Sequence, residues 1–105
     1  MFVRHVSIHL KPTNTVSDYT RTFENEILPL LRKQKGFKDA ITLSNPGSPH
    51  VVAISLWDSK ANADAYDMST RPQVSSASAR LIDGTPKIRT FQSVTSTFHK
   101  LAAGA

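Results

Sequence analysis

The chain has 105 residues, 39% of them hydrophobic, with 13 Lys and Arg against 8 Asp and Glu for a formal charge of +5, and it contains no cysteine. That length suits one domain, 1–105, with one core, and the missing thiols exclude disulfide frameworks, thiolate metal sites and cysteine nucleophiles. The start Met1-Phe2-Val3-Arg4-His5-Val6 is no secretory signal and no apolar run reaches membrane-span length, so the expectation is a cytoplasmic protein with no membrane partner.

Phe2 to Leu10 alternates with a period of two, Phe2, Val6, Ile8 and Leu10 on one side and Val3, His5, Ser7 and His9 on the other, with Arg4 the exception among its apolar neighbours. This is the first strand. Lys11-Pro12-Thr13-Asn14-Thr15 makes a turn, and Thr15 or Ser17 caps a helix in which Val16, Tyr19, Phe23, Ile27, Leu30 and Leu31 recur at steps of three and four. Pro29 should bend that helix, and Gly36 should end it. Arg32-Lys33-x-Lys35-x-x-Lys38 is the densest basic stretch, but it falls where cations complement a helix C-terminus. No stacking stripe or recognition module accompanies it, so no nucleic-acid partner is expected.

Phe37 to Ser44 and His50 to Trp57 read as strands joined through Asn45-Pro46-Gly47-Ser48-Pro49, a hairpin. Asp58-Ser59 caps a second helix through Ala61, Ala65 and Tyr66, which breaks at Thr70-Arg71-Pro72, and a shorter helix is expected over Gln73 to Ile82. Asp83-Gly84-Thr85-Pro86 turns the chain into a fourth strand, Lys87 to His99. The order β-α-β-β-α-(α)-β is that of an α+β, ferredoxin-like sandwich with one antiparallel four-stranded sheet whose first and third strands are neighbours.

Such a sandwich has helices on one sheet face only, yet apart from Arg4 neither face of the two central strands carries a charge. Both faces therefore need cover, and a second copy of the chain is the simplest source. A long fourth strand, with its excess around Thr95 to Leu101, offers a further pairing edge to a partner. We expect the aliphatic set, Ile8 with Ile54, to form the dimer core, and the Ser7/Trp57 set to line a pocket under the helices. Periodicity alone leaves the reverse assignment open.

Two stretches, Glu26-Ile27-Leu28-Pro29-Leu30-Leu31-x-x-x-x-Gly36-Phe37 and Val52-Ala53-Ile54-Ser55-Leu56-Trp57-Asp58-Ser59-Lys60, make the chain resemble the antibiotic biosynthesis monooxygenase-like domains of the dimeric α+β barrel superfamily. The resemblance implies a homodimer in which two sheets pair into a barrel, with a cavity between sheet and helices in each subunit for a small aromatic or apolar ligand. It implies a monooxygenase-like enzyme, with cofactor-independent oxidation of an aromatic or quinol-type substrate as one activity of the group, and a non-catalytic ligand-binding or accessory dimer as the alternative. The haem-degrading branch uses an Asn on the first strand, a Trp ending the third and a His on a late helix. Here Ser7 stands at the first position, Trp57 at the second, and Gln73 to Arg80 contains no His, which disfavours haem.

For catalysis the candidates are His5 and His9 as bases and Ser7 and Trp57 as donors. Phe23, Ile27, Ser55, Tyr66 and Arg80 are the candidates for ligand binding. No cofactor is expected. No metal is expected either, because His5-x-x-x-His9 is helical ligand spacing on a strand, where the side chains do not converge. Glu24 and Glu26 read as solvated surface.

Overall fold

The computed structural model describes residues 1–95 and 97. Strand β1 (Phe2–His9) lies inside an antiparallel sheet of order β2-β3-β1-β4, with β2 spanning Phe37–Ser44, β3 His50–Trp57 and β4 Lys87–Gln92. The first and third strands are central neighbours, as the element order required, and the fold is ferredoxin-like α+β. Among the described residues strand β4 ends at Gln92, which opposes Phe2, the first residue of β1, and past it Ser93 N–H still reaches the Met1 carbonyl at 2.9 Å; the expected end at His99 lies outside the described residues. Beyond Ser93, Thr95 and Thr97 lie outside any strand, and the remainder of the proposed exchange segment, Ser96 and 98–101, lies outside the described residues.

The first helical segment begins at a capping box. Thr15 Oγ1 accepts from Asp18 N–H at 3.2 Å and Asp18 Oδ2 accepts from Thr15 N–H at 2.9 Å, settling the choice between Thr15 and Ser17. Helix α1 (Val16–Thr22) then opens into a π-helical turn, Phe23–Ile27, before α2 (Leu28–Arg32). The bend expected at Pro29 is replaced by this wider turn. Leu28 N–H reaches back five residues to the Phe23 carbonyl, and Pro29, which has no N–H to give, stands in the first turn of α2, where a donor is least needed. Gly36 ends the segment at φ +84°, its carbonyl accepting from Asp58 N–H at 2.9 Å, and a Cβ there would collide with the Asp58 and Asn62 side chains.

Ser59 caps α3 (Lys60–Ser69) by accepting from Asn62 N–H. Thr70-Arg71-Pro72 is a joint, not a gap: Pro72 serves the opening turn of α4 (Arg71–Ser78), which passes into a 3₁₀ turn, Ala79–Leu81. The last helix therefore starts two residues before the expected Gln73.

All the helices pack on one sheet face. Even positions of β1 oppose odd positions of β3: Phe2 faces Trp57, Arg4 faces Ser55, Val6 faces Ala53 and Ile8 faces Val51. Directly opposed residues share a face, so these eight lie beneath the helices. The other face carries Val3, His5, Ser7 and His9 against Leu56, Ile54, Val52 and His50. The expected pairings of Ile8 with Ile54, and of Ser7 with Trp57, are thus both corrected. Alternation fixes which residues of one strand share a side, but only the inter-strand register joins the sides of two strands.

Candidate ligand cavity

Between sheet and helices two apolar clusters flank an open space. One gathers Phe2, Ile27, Leu31, Trp57, Ala63 and Tyr66; the other gathers Ile8, Leu10, Tyr19, Val51 and Leu81. The space between them is a cavity of about 360 Å³. Its floor is β1 and β3, through Arg4, Val6, Ile8, Ala53 and Ser55, and its roof comes from Phe23, Ile27 and Leu31 on the first helical segment, Tyr66 on α3 and Val74 and Ser78 on α4. The volume suits a fused-ring small molecule. Phe23 and Ile27, four residues apart on one helical face, both border this space.

One end is polar. Arg4 is only 5% exposed, and its Nη2 donates to Asp67 Oδ1 at 2.6 Å while its guanidinium lies 5.1 Å from the centre of the Tyr66 ring. Tyr66 in turn packs on Trp57, with ring centres 5.1 Å apart, and Phe37 meets the indole edge-on at 5.6 Å. The indole N–H, fully buried, donates to Ser55 Oγ at 2.9 Å. Ser55 accepts there and keeps its own O–H to give, and it borders the cavity across the ladder from Arg4. Arg71 closes this end: its Nε lies 2.9 Å from the Asp67 oxygen that Arg4 uses, without the alignment of a hydrogen bond.

Burial holds the two tyrosines neutral. Desolvation pushes the Tyr19 phenol up to about 12, with a smaller contribution from Tyr66, and raises Tyr66 as well, against the pull of Arg4. Both phenols keep their protons well above neutral pH. No Asp, Glu or His borders the cavity among the described residues.

The sequence-derived candidates divide accordingly. Phe23, Ile27, Ser55 and Tyr66 come together around the cavity, and Trp57 stands behind it, acting through Ser55. His5, Ser7 and His9 lie on the opposite face of the sheet. There Ser7 Oγ is 2.6 Å from His50 Nε2, and His5 meets Phe91 edge-on. Arg80 is displaced too: it reaches over the surface of the first helical segment to Thr22 and Glu26, at 3.3 and 3.4 Å, beside a second, polar groove. Its guanidinium is tied down there by a further bond from Nη1 to the Ala77 carbonyl at 3.1 Å. Among the described residues no group of three or more His, Asp or Glu stands ready for a metal. Arg4, Asp67 and Arg71 were missed. The one available signal was the solitary charge at Arg4, set among apolar residues of the same parity.

No family model and no curated protein matches the sequence. Solved structures do match in shape. A monooxygenase of Streptomyces coelicolor in complex with nanaomycin D superposes with a TM-score of 0.75 at 16% identity, over 92% of this chain and 90% of that one. An antibiotic biosynthesis monooxygenase gives 0.68 at 16% identity, over 90% and 100%. The fold is that of the antibiotic biosynthesis monooxygenase-like domains. A protein of unknown function from Nitrosomonas europaea superposes with a TM-score of 0.72 at 17% identity over 92% of each chain. At such identities the likeness establishes architecture, and activity has to be argued from the cavity.

Proposed function

We propose that the chain is a homodimeric, monooxygenase-like enzyme that oxidises an aromatic, quinol- or anthrone-type molecule in the cavity under its helices, with no cofactor. The observation that carries this reading is the buried polar end, Arg4 and Ser55 side by side on the floor of an otherwise apolar space. An activated aromatic CH₂ loses a proton, and the resulting enolate gives an electron to dioxygen. The radical pair recombines to a hydroperoxide, which loses water to leave a carbonyl, so that CH₂ and O₂ become C=O and H₂O. The enolate oxygen needs preorganised donors in a dry site. Arg4, fixed by Asp67, and the Ser55 hydroxyl, fixed by the Trp57 N–H, supply them. The His5 and His9 bases have no part in this, since they face away. With the substrate's acidity raised by the guanidinium, solvent hydroxide takes the proton and solvent returns one to the peroxide anion formed on recombination, so the rate should climb with pH.

The test is oxygen consumption with anthrone and with naphthohydroquinone. Ser55→Ala should lower turnover by about a hundred- to a thousandfold, in the range of losing one oxyanion donor, and Trp57→Phe should reproduce part of that loss. An absence of turnover by the wild-type chain with every such substrate would sink the reading. A non-catalytic binding dimer is the second reading, favoured by a cavity bordered by no carboxylate or imidazole among the described residues.

The other sheet face supports the dimer. Ile41, Leu43 and Phe91 on it are 54%, 46% and 51% exposed, beside Val52, Ile54 and Leu56. That is a broad apolar surface that nothing among the described residues covers.

A further inference from the structure

The polar end of the cavity is over-supplied with positive charge. Two guanidiniums that border the cavity, Arg4 and Arg71, converge on one carboxylate oxygen of Asp67, and no acid is itself part of the cavity lining among the described residues. Asp67 is committed to Arg4, with the shorter contact and the hydrogen-bond geometry. Arg71 is left beside the same oxygen with a buried Nε that makes no hydrogen bond. A desolvated N–H of this kind is costly unless something accepts from it. The planar fork of a guanidinium accommodates a carboxylate through two parallel bonds.

We propose that the ligand of this cavity is an aromatic acid, whose carboxylate docks on Arg71 at the end next to Arg4 while its rings fill the apolar space towards Phe23 and Ile27. This rests on the proposed ligand cavity but not on any oxidation. Asp67 has two functions in it: it holds Arg4 still, and it leaves one positive charge unmatched. The apolar walls then select for aromatic surface, and the surplus guanidinium selects for the anion.

The discriminating measurement is equilibrium binding, read by quenching of the single tryptophan, Trp57, with 2-naphthoate, its methyl ester and 2-naphthol as a matched series. The carboxylate should bind at least about tenfold more tightly than ester or naphthol, and the preference should shrink in high salt. Arg71→Gln, at a half-exposed position where folding is not at stake, should erase the preference and leave ester binding as it was, while Arg71→Lys should restore part of it. Asp67→Asn should strengthen carboxylate binding, as removal of a competing anion requires. Equal binding of acid and ester, or a preference indifferent to Arg71→Gln, overturns the proposal. Because no oxygen is consumed in this experiment, tight carboxylate binding without turnover would defeat the oxygenase reading alone. Turnover of neutral quinols with no anion preference would defeat this inference alone.

Discussion

At the level of single residues the cavity is built by burial working against charge. Tyr19 is the sharpest case, a phenol pushed up to about 12 by loss of water. Its ordinary value in the unfolded chain is 10.0. Below pH 10 both states hold the proton and the packing counts in full. Between 10 and 12 the unfolded chain gives its proton up while the folded chain keeps it, so folding stability falls as pH rises, by on the order of 2 kcal/mol by the upper limit. Tyr66, also raised, acts in the same direction. Phenolate absorbance of the native protein should therefore lag behind that of free tyrosine throughout this window, and denaturant midpoints should drop across it. Two tyrosines titrating at their ordinary value in the folded protein would contradict the packing described.

The same scale shows what a sequence conveys about a site. Phe23, Ile27 and Tyr66 were legible because each sits on an apolar helical stripe whose buried side periodicity reveals; Ser55 followed from assigning the Trp57 side of β3 to the pocket, a choice that periodicity left open. Arg4 was visible only as an anomaly, and its meaning depends on Asp67, sixty-three positions away and brought near by the fold. The histidines were misplaced for a related reason. Within β1 their parity was read correctly, but the side to which that parity belongs is set by the register with β3.

Among the elements, the hinge between the first helical segment and β2 is the most constrained. Gly36 combines a left-handed backbone with close approach to Asp58 and Asn62, and Asn62 Nδ2 donates to Asp58 Oδ1 at 2.8 Å, which holds that carboxyl below its usual range. Gly36→Ala meets both obstacles together. It should cost about 2 kcal/mol or more, beyond the roughly 1 kcal/mol of a left-handed Ala alone, seen as a lowered denaturant midpoint; a loss under 0.5 kcal/mol would show that the loop relaxes freely. This element-level grammar was almost fully readable: the Gly, the Asp58-Ser59 cap and the Asn-Pro-Gly turn all stand where expected. The π turn was not. Its signal, Pro29, predicts a disturbance in the helix without saying that an extra residue per turn will absorb it.

For the whole molecule the consequence of one-sided helix packing is a sheet face rich in exposed aliphatic side chains. Sedimentation at micromolar concentration should give a dimer, and Ile41→Asp or Leu43→Asp, on the exposed outer strand β2, should give a folded monomer. A wild-type monomer would remove the case for assembly. The argument for a second copy was available from composition along the strands, and it survives the corrected register because it required only that both faces be apolar.

That correction gives the histidines a different kind of importance. His5, His9 and His50 share the uncovered face, with His9 directly opposite His50 and His5 opposite Arg89, near Lys87 on the same outer strand; Asp39 is the acid on that face among the described residues. They therefore belong to the proposed subunit interface and not to the cavity, and they stand there among cations: Arg89 and Lys87 lie on the same face, and a second copy related by symmetry would bring an identical pair against them. A dimer formed through this face should tighten as added salt screens that repulsion, read by sedimentation at low and at high salt, and a dimer that salt loosens would speak against this face as the interface.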